Sequence, residues 1–276
     1  MNHLMLDHEK CKGCGKCEER CGYKKVISVN GTGKAIFKED QSECIECYHC
    51  LMVCPNDAIS INENPDVKVC CVDEKTPLPL IRHSCRVYKN KRIEKEEIIE
   101  LINEANSAPR AYIKSKERKY IIVTGERLSN LRTFLLKKIE QNARLFRIIL
   151  KLPFLPNSIK TNLKNLAWCF TMTTKANKEK EQLFQGAPAV VLVCGPAKNS
   201  LSKVNSDYAL LQLMILAEQK GFGTCLSGYL DGYSKDISKF LGLPKSEKVF
   251  CGAMIGYPAA RFTKYVRRND TSITWI

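Results

Sequence analysis

The apolar positions of this chain change their period along its length. Between 93 and 107, Ile98, Ile99, Leu101, Ile102 and Ala105 recur at helical spacing behind an acidic first turn of Glu94, Glu96 and Glu97. That pattern predicts an amphipathic helix, and Pro109 stops it. Residues 120–124 and 189–194 are short continuous apolar runs and predict buried strands, with another over 249–257. Residues 208–220 are apolar on nearly every side, which predicts a core helix. Ser206 or Asp207 can cap its start and Gly221 its end. Leu128, Leu131, Leu135 and Ile139 share one face of a further helix, continued by Phe146, Ile149 and Leu150. Strands and helices do not alternate regularly. The prediction is therefore an α+β sheet with helices packed on it, rather than a βαβ array.

Residues 1–64 follow a different rule, set by cysteine. Eight of the fifteen cysteines form two copies of C-x2-C-x2-C-x3-C: Cys11, Cys14, Cys17, Cys21 and Cys44, Cys47, Cys50, Cys54. Three thiolates at this spacing wrap one iron–sulfur cube from a single loop, and the fourth reaches the other cube. The predicted ligand sets are Cys11, Cys14, Cys17 and Cys54, and Cys44, Cys47, Cys50 and Cys21. The cysteines sit in a longer repeat. Asp7 and Asp40 each precede a first cysteine by four residues, and Val26-Ile27 matches Ala58-Ile59. Zinc prefers two separated ligand pairs, which eight evenly spaced thiols do not offer. A disulfide framework needs a secreted chain, and residues 1–10 lack the apolar core of a signal peptide. Asn30-Gly31 marks a hairpin turn. Gly31-Thr32-Gly33-Lys34 has the wrong spacing for a phosphate loop.

This first part resembles a bacterial two-cluster ferredoxin carrying two [4Fe–4S] clusters. Pro55 follows the second copy as in that family, whereas Gly22 follows the first. His49, between cluster cysteines, is expected to tune a cluster by contact rather than ligate it. Residues 65–80, with Pro65, Pro77 and Pro79, are expected to form a linker. Its Cys70 and Cys71 do not fit the cube spacing.

Charge divides unevenly across that boundary. The net charge is +15, yet residues 1–64 hold 8 basic and 10 acidic side chains, leaving the rest at +17. A basic body can attract an acidic electron donor or a phosphorylated ligand. Groove-reading and stacking motifs are missing, so nucleic acid is not an expected partner. The uncharged stretch 183–197 is broken by Gly186, Pro188, Gly195 and Pro196, so no membrane span is expected. The thiols and oxygen-sensitive clusters point to a reducing cytoplasm.

Three further segments carry polar chemistry. Arg82-His83-Ser84-Cys85-Arg86 sets Arg and Ser on one side of an extended stretch, where they can hold phosphate. Leu226-Ser227-Gly228 follows a glycine-rich turn, and Arg267-Arg268 stands near the end. In this order the segments resemble the FMN-dependent nitroreductase family over 81–276, in its ferredoxin-fused form, with 126–186 as a variable helical cap. The resemblance implies an α+β homodimer with FMN at the dimer interface. It implies that Arg82 and Ser84 contact the phosphate and ribityl chain, with His83 in the same strip. Arg86 would lie beside N1 and O2 of the flavin ring. Leu226, Ser227 and Gly228 would form the loop facing N5 and O4, and Arg267 or Arg268 would return to the phosphate. The family's Pro-Ser and later Asn become Pro109, Arg110 and Ile113 here, implying a divergent substrate pocket.

These readings converge on an oxidoreductase passing electrons between two [4Fe–4S] clusters and FMN to reduce a nitroaromatic, quinone or enone. The expected donor is NAD(P)H or an acidic ferredoxin or flavodoxin. No G-x-G-x-x-G fingerprint occurs, but nicotinamide stacking on FMN requires none. A second reading is a non-catalytic electron carrier or redox sensor with a degenerate flavin domain. The basic stretch 126–152 also has the composition of a helix lying on an anionic membrane, a less favoured expectation. Trp168 and Phe170 are candidates to cover the flavin, against the plainer role of core packing.

Overall fold

The computed structural model describes residues 4–21, 26–31, 33–41, 44–61, 67–110, 118–152, 155–179, 183–268 and 272–276. Gly22, Thr32, Pro65 and Ile113 lie outside the described residues, as does the side chain of Arg268. The chain forms two compact units: Met1–Val87 with Pro258–Ile276, and Tyr88–Tyr257.

The first unit contains β1 (Leu4–Leu6), α1 (Lys16–Arg20), β2 (Ile27–Val29), β3 (Ala35–Phe37), α2 (His49–Val53), β4 (Ile59–Ile61), β5 (Val67–Cys71) and α3 (Leu78–Ile81). The second contains α4 (Lys95–Ala105), β6 (Lys119–Thr124), α5 (Gly125–Ile149), α6 (Asn157–Glu179), β7 (Ala189–Pro196), α7 (Ser202–Gln219), β8 (Gly223–Leu226), α8 (Gly228–Gly232), α9 (Ser234–Leu241) and β9 (Glu247–Gly256). The last strand, β10 (Lys264–Arg268), belongs to the first unit.

In the first unit the repeat is visible in the backbone. The second and fourth residues after the first cysteine of each copy are left-handed: Gly13 and Gly15, then Glu46 and Tyr48. Glycine takes that conformation without strain, whereas Glu46 and Tyr48 hold it against a steric cost. Gly13 is also required by space, since a Cβ there would lie 2.2 Å from the Gly33 carbonyl oxygen. Asn30 shapes the turn that brings Gly33 in, its Oδ1 accepting from the Lys34 N–H at 3.0 Å. β1 pairs antiparallel with β4, and β2 with β3. Leu4, Ile27, Ala35, Leu51 and Ile59 form a small core with the cluster-loop cysteines around it.

The expected linker 65–80 carries regular structure within its described residues, 67–80. β5 pairs antiparallel with β10, from Val67↔Arg268 to Cys71↔Lys264. Pro77 and Pro79 sit at the start of α3, where a missing N–H costs nothing. The pairing partner lies almost two hundred residues away in sequence, so local composition could not reveal it. Residues 258–276, expected with the second domain, therefore fold with the first unit.

The second unit is α+β. Its four-stranded antiparallel sheet has the order β6-β7-β9-β8. Along β7, Val190, Leu192 and Cys194 pack with Leu131, Leu135 and Ile139 of α5 and Ile237 of α9. Ala189 and Val191 pack instead with Leu101 of α4 and Leu213 of α7. This period of two buries both faces of the central strand. A bulge at Val193/Cys194 shifts the register against β9, so that Cys194 pairs with Val249.

The predicted α4 is closed by a capping box between Glu94 and Glu97. The helix expected at 208 starts at Ser202 instead. Ser206 caps nothing: its hydroxyl donates to the Ser202 carbonyl inside the helix. Nor is α7 wholly buried, since Val204, Tyr208 and Leu211 are exposed.

Candidate functional site

Two cavities in the first unit gather the eight repeat cysteines. Cys11, Cys14, Cys17 and Cys54 line one, together with Leu6, Ala35 and Ile59, around about 360 Å³ of empty space partly open to solvent. Cys21, Cys44, Cys47 and Cys50 line the other, with Leu4, Val26, His49 and Arg86, around about 470 Å³. Each cavity thus draws three sulfurs from one loop and the fourth from the other copy. Burial pushes the Cys17 thiol up to about 11 and the Cys50 thiol well above its ordinary value. Such sulfurs ionise when a bound metal supplies the compensating charge. Among the described residues, no group of three or more His, Cys, Asp or Glu side chains is arranged to hold a metal ion. Thiols set around an apolar cavity fit an iron–sulfur cube, whose corners stand apart.

The turn carrying Cys54 is fastened from the chain's far end. Buried Lys264 of β10 donates to the Cys54 carbonyl at 2.8 Å and pairs with Asp57. The Ala58 N–H donates to the Cys54 sulfur at 3.4 Å. The Lys264 contacts were not read from the sequence, because they come from β10, some two hundred residues further along the chain.

The 82–86 strip lies in the first unit. Arg82 Nη1 is buried and has no hydrogen-bond partner among the described residues. A buried guanidinium nitrogen in this condition fits an anionic group such as a phosphate. His83 stacks edge-on against Phe262, ring centroids 5.2 Å apart, and its Nδ1 meets the Ile81 carbonyl. Ser84 is half-buried. Arg86 reaches His49, with Nη1 3.4 Å from both ring nitrogens. Burial, with Arg86 and His83 adding repulsion, holds His49 far below its ordinary value, at about 3. Arg267 is exposed on β10, opposite Lys68.

The Leu226-Ser227-Gly228 loop belongs to the second unit. Leu226 ends β8 and is exposed, Ser227 is buried at the N-cap of α8, and Gly228 has open space where a Cβ would stand. Arg110 Nε is buried without a partner among the described residues, and its Nη2 donates to the Asn106 carbonyl. Phe170 packs in the core against Phe146, Tyr229 and Tyr233, whereas Trp168 is exposed.

Sequence reasoning missed Arg20. Only 6% exposed, it lines the second cavity, and its Nε has no partner among the described residues. The signal was available: Arg20 immediately precedes Cys21, the cysteine that crosses to that cavity.

An eight-cysteine module joined in one chain to an α+β sheet body is the make-up of an iron–sulfur oxidoreductase. The chain belongs to the nitroreductase family, whose description matches residues 81–257, and a 4Fe-4S dicluster domain matches residues 10–59. A ferredoxin of Methanothermococcus thermolithotrophicus is 38% identical over 62 residues, which are 22% of this chain and 98% of that protein. An uncharacterised protein of Methanocaldococcus jannaschii is 39% identical over 59 residues, and the match spans only 21% of its length. Among solved structures, a nitroreductase with bound FMN from Desulfitobacterium hafniense is 18% identical with a TM-score of 0.48, covering 72% of this chain and 96% of that one. No helix among the described residues is long and apolar enough to cross a membrane.

Proposed function

We propose that this protein is an FMN- and iron–sulfur-dependent reductase that connects one-electron carriers to an organic acceptor of the nitroaromatic, quinone or enone type. The clusters supply one-electron transfer and FMN the two-electron step. The observation that carries the reading is the partition of eight thiols onto two cavities, three from one loop and one from the other in each. Cys11, Cys14, Cys17 and Cys54 ligate one cluster, and Cys44, Cys47, Cys50 and Cys21 the other.

Arg82 and Ser84 bind the FMN phosphate and ribityl chain, supported by the unpartnered buried nitrogen of Arg82. His83 orders that strip through its contact with Phe262. Arg86 supplies fixed positive charge to the flavin ring, and Arg267 or Arg268 adds charge for the phosphate. Leu226, Ser227 and Gly228 offer backbone N–H groups, with space at Gly228 for close approach. The ferredoxin part spans 1–64 and the flavin part begins at 81.

Val204, Tyr208 and Leu211 recur along one side of α7 at 43%, 52% and 51% exposure. An apolar stripe of this kind suits a second copy of the chain, so the working form is a homodimer. NAD(P)H or an acidic ferredoxin or flavodoxin serves as donor, and the reaction runs in the reducing cytoplasm that such clusters require.

Iron, acid-labile sulfide and FMN per chain test this reading on anaerobically purified protein. About eight irons with about one FMN are expected. Full iron with no flavin, even after reconstitution with FMN, would leave only the electron-carrier reading.

A further inference from the structure

The two cysteine cavities differ in their fixed charge. Lys12 and Lys16, which line the first, are both exposed. Their charge is spread into water and screened. Lys264, near the Cys54 turn, is paired with Asp57. The second cavity is lined by Arg20 and Arg86 between the apolar walls of Leu4, Val26 and Ile45. Arg20 is almost fully buried, and its only ion pair among the described residues is to exposed Glu19 at 3.6 Å. Arg86 is half-buried against His49 and makes no ion pair among the described residues.

We infer that Arg20 and Arg86 make the Cys21, Cys44, Cys47 and Cys50 site the higher-potential one, so that electrons collect there before leaving for the nitroreductase part. The inference rests on reading the two cysteine sets as cluster ligands. Reduction adds one negative charge at the site, and a fixed cation in low-dielectric surroundings favours that state. Apolar walls alone would disfavour it, but they also strengthen the attraction of the two guanidinium groups. The balanced step is a one-electron exchange: the Cys11 set loses the electron that the Cys21 set gains. A low-potential one-electron donor resupplies the first. Arg86 also lies within the stretch matched to the nitroreductase family, which begins at residue 81. That part of the chain therefore contributes directly to the wall of the second cavity and not to the first.

The test is an anaerobic redox titration of the full chain with dithionite, followed by electron paramagnetic resonance, for wild type, Arg86→Gln, Arg86→Lys and Arg20→Gln. Iron content is measured on each. Two waves are expected in the wild type. Arg86→Gln should lower the upper wave by about 59 mV, a tenfold change in a one-electron equilibrium, and leave the lower wave in place. Arg86→Lys should restore most of the shift, and Arg20→Gln should move the same wave in the same direction. An unchanged upper wave, movement of the lower wave, or equal movement of both would overturn the inference. If Arg86→Gln loses iron, Arg20→Gln and Arg86→Lys decide it by the same criterion. Wild-type protein without cluster signals would defeat the ligand reading itself, a different and separately visible failure.

Discussion

Gly13 and Glu46 occupy the same position in the two cysteine loops, and both are left-handed, at φ 68° and 50°. They should respond oppositely to substitution. Gly13→Ala adds a Cβ 2.2 Å from a backbone oxygen that cannot retreat without moving the hairpin turn. Iron analysis should then show loss of about four of eight irons, with the other cluster retained. Full iron would mean that the loop tolerates the clash. Glu46→Gly removes the left-handed penalty and should stabilise the unit by about 1 kcal/mol. The exposed repeat made the cysteines legible, and aligning its copies would have marked Glu46 and Tyr48 as strained. Arg20 needed the same alignment. Tyr257 offers a pH test. Its hydroxyl donates to Glu97 at 2.7 Å, and that bond raises its ionisation to about 12. Because the folded value lies above the ordinary 10, the contribution is complete below pH 10 and is lost as pH rises through about 12. Comparing denaturant midpoints of wild type and Tyr257→Phe should show a gap at neutral pH that closes over that window. A gap independent of pH would discard the role of this bond.

At the scale of elements, periodicity located what packing later used. The stripe Leu128, Leu131, Leu135 and Ile139 is the buried face of α5, and the short apolar runs became β6, β7 and β9. Local signals failed where distant partners decided. The start of α7 was read from Ser206 and Asp207, yet the helix begins at Ser202, behind a turn in which Asn199 Oδ1 accepts from the Leu201 N–H at 2.9 Å. Strands β5 and β10 are too short to announce themselves without each other. Gly252 in β9 shows what tight layering demands. A Cβ there would lie 2.7 Å from Leu192 Cδ2, 2.9 Å from the Val191 oxygen and 3.0 Å from Leu230 Cδ1. Gly252→Ala should therefore cost about 1–3 kcal/mol by overpacking. Thermal unfolding of the variant would measure this, and an unchanged midpoint would show that the sheet has room to yield.

For the whole molecule, the α7 stripe gives a direct test of assembly. Tyr208→Asp with Leu211→Asp should convert a dimer to monomer by light scattering while leaving iron content unchanged. A wild type that is already monomeric would remove the partner from the account. The fold class and both cluster motifs were legible because spacing and period are local properties. The flavin contacts proposed above rest on resemblance alone, since Arg82–Arg86 and Leu226–Gly228 are far apart in sequence and fall in different compact units. The central claim is that electrons pass between clusters and flavin within one protein. Stopped-flow absorbance of the anaerobic holoprotein, mixed with a one-electron reductant, tests it most directly. Cluster bleaching followed by flavin bleaching is the predicted result, with flavin reduction at least tenfold slower in a Cys47→Ala variant. Clusters that reduce fully while the flavin stays oxidised would contradict the account.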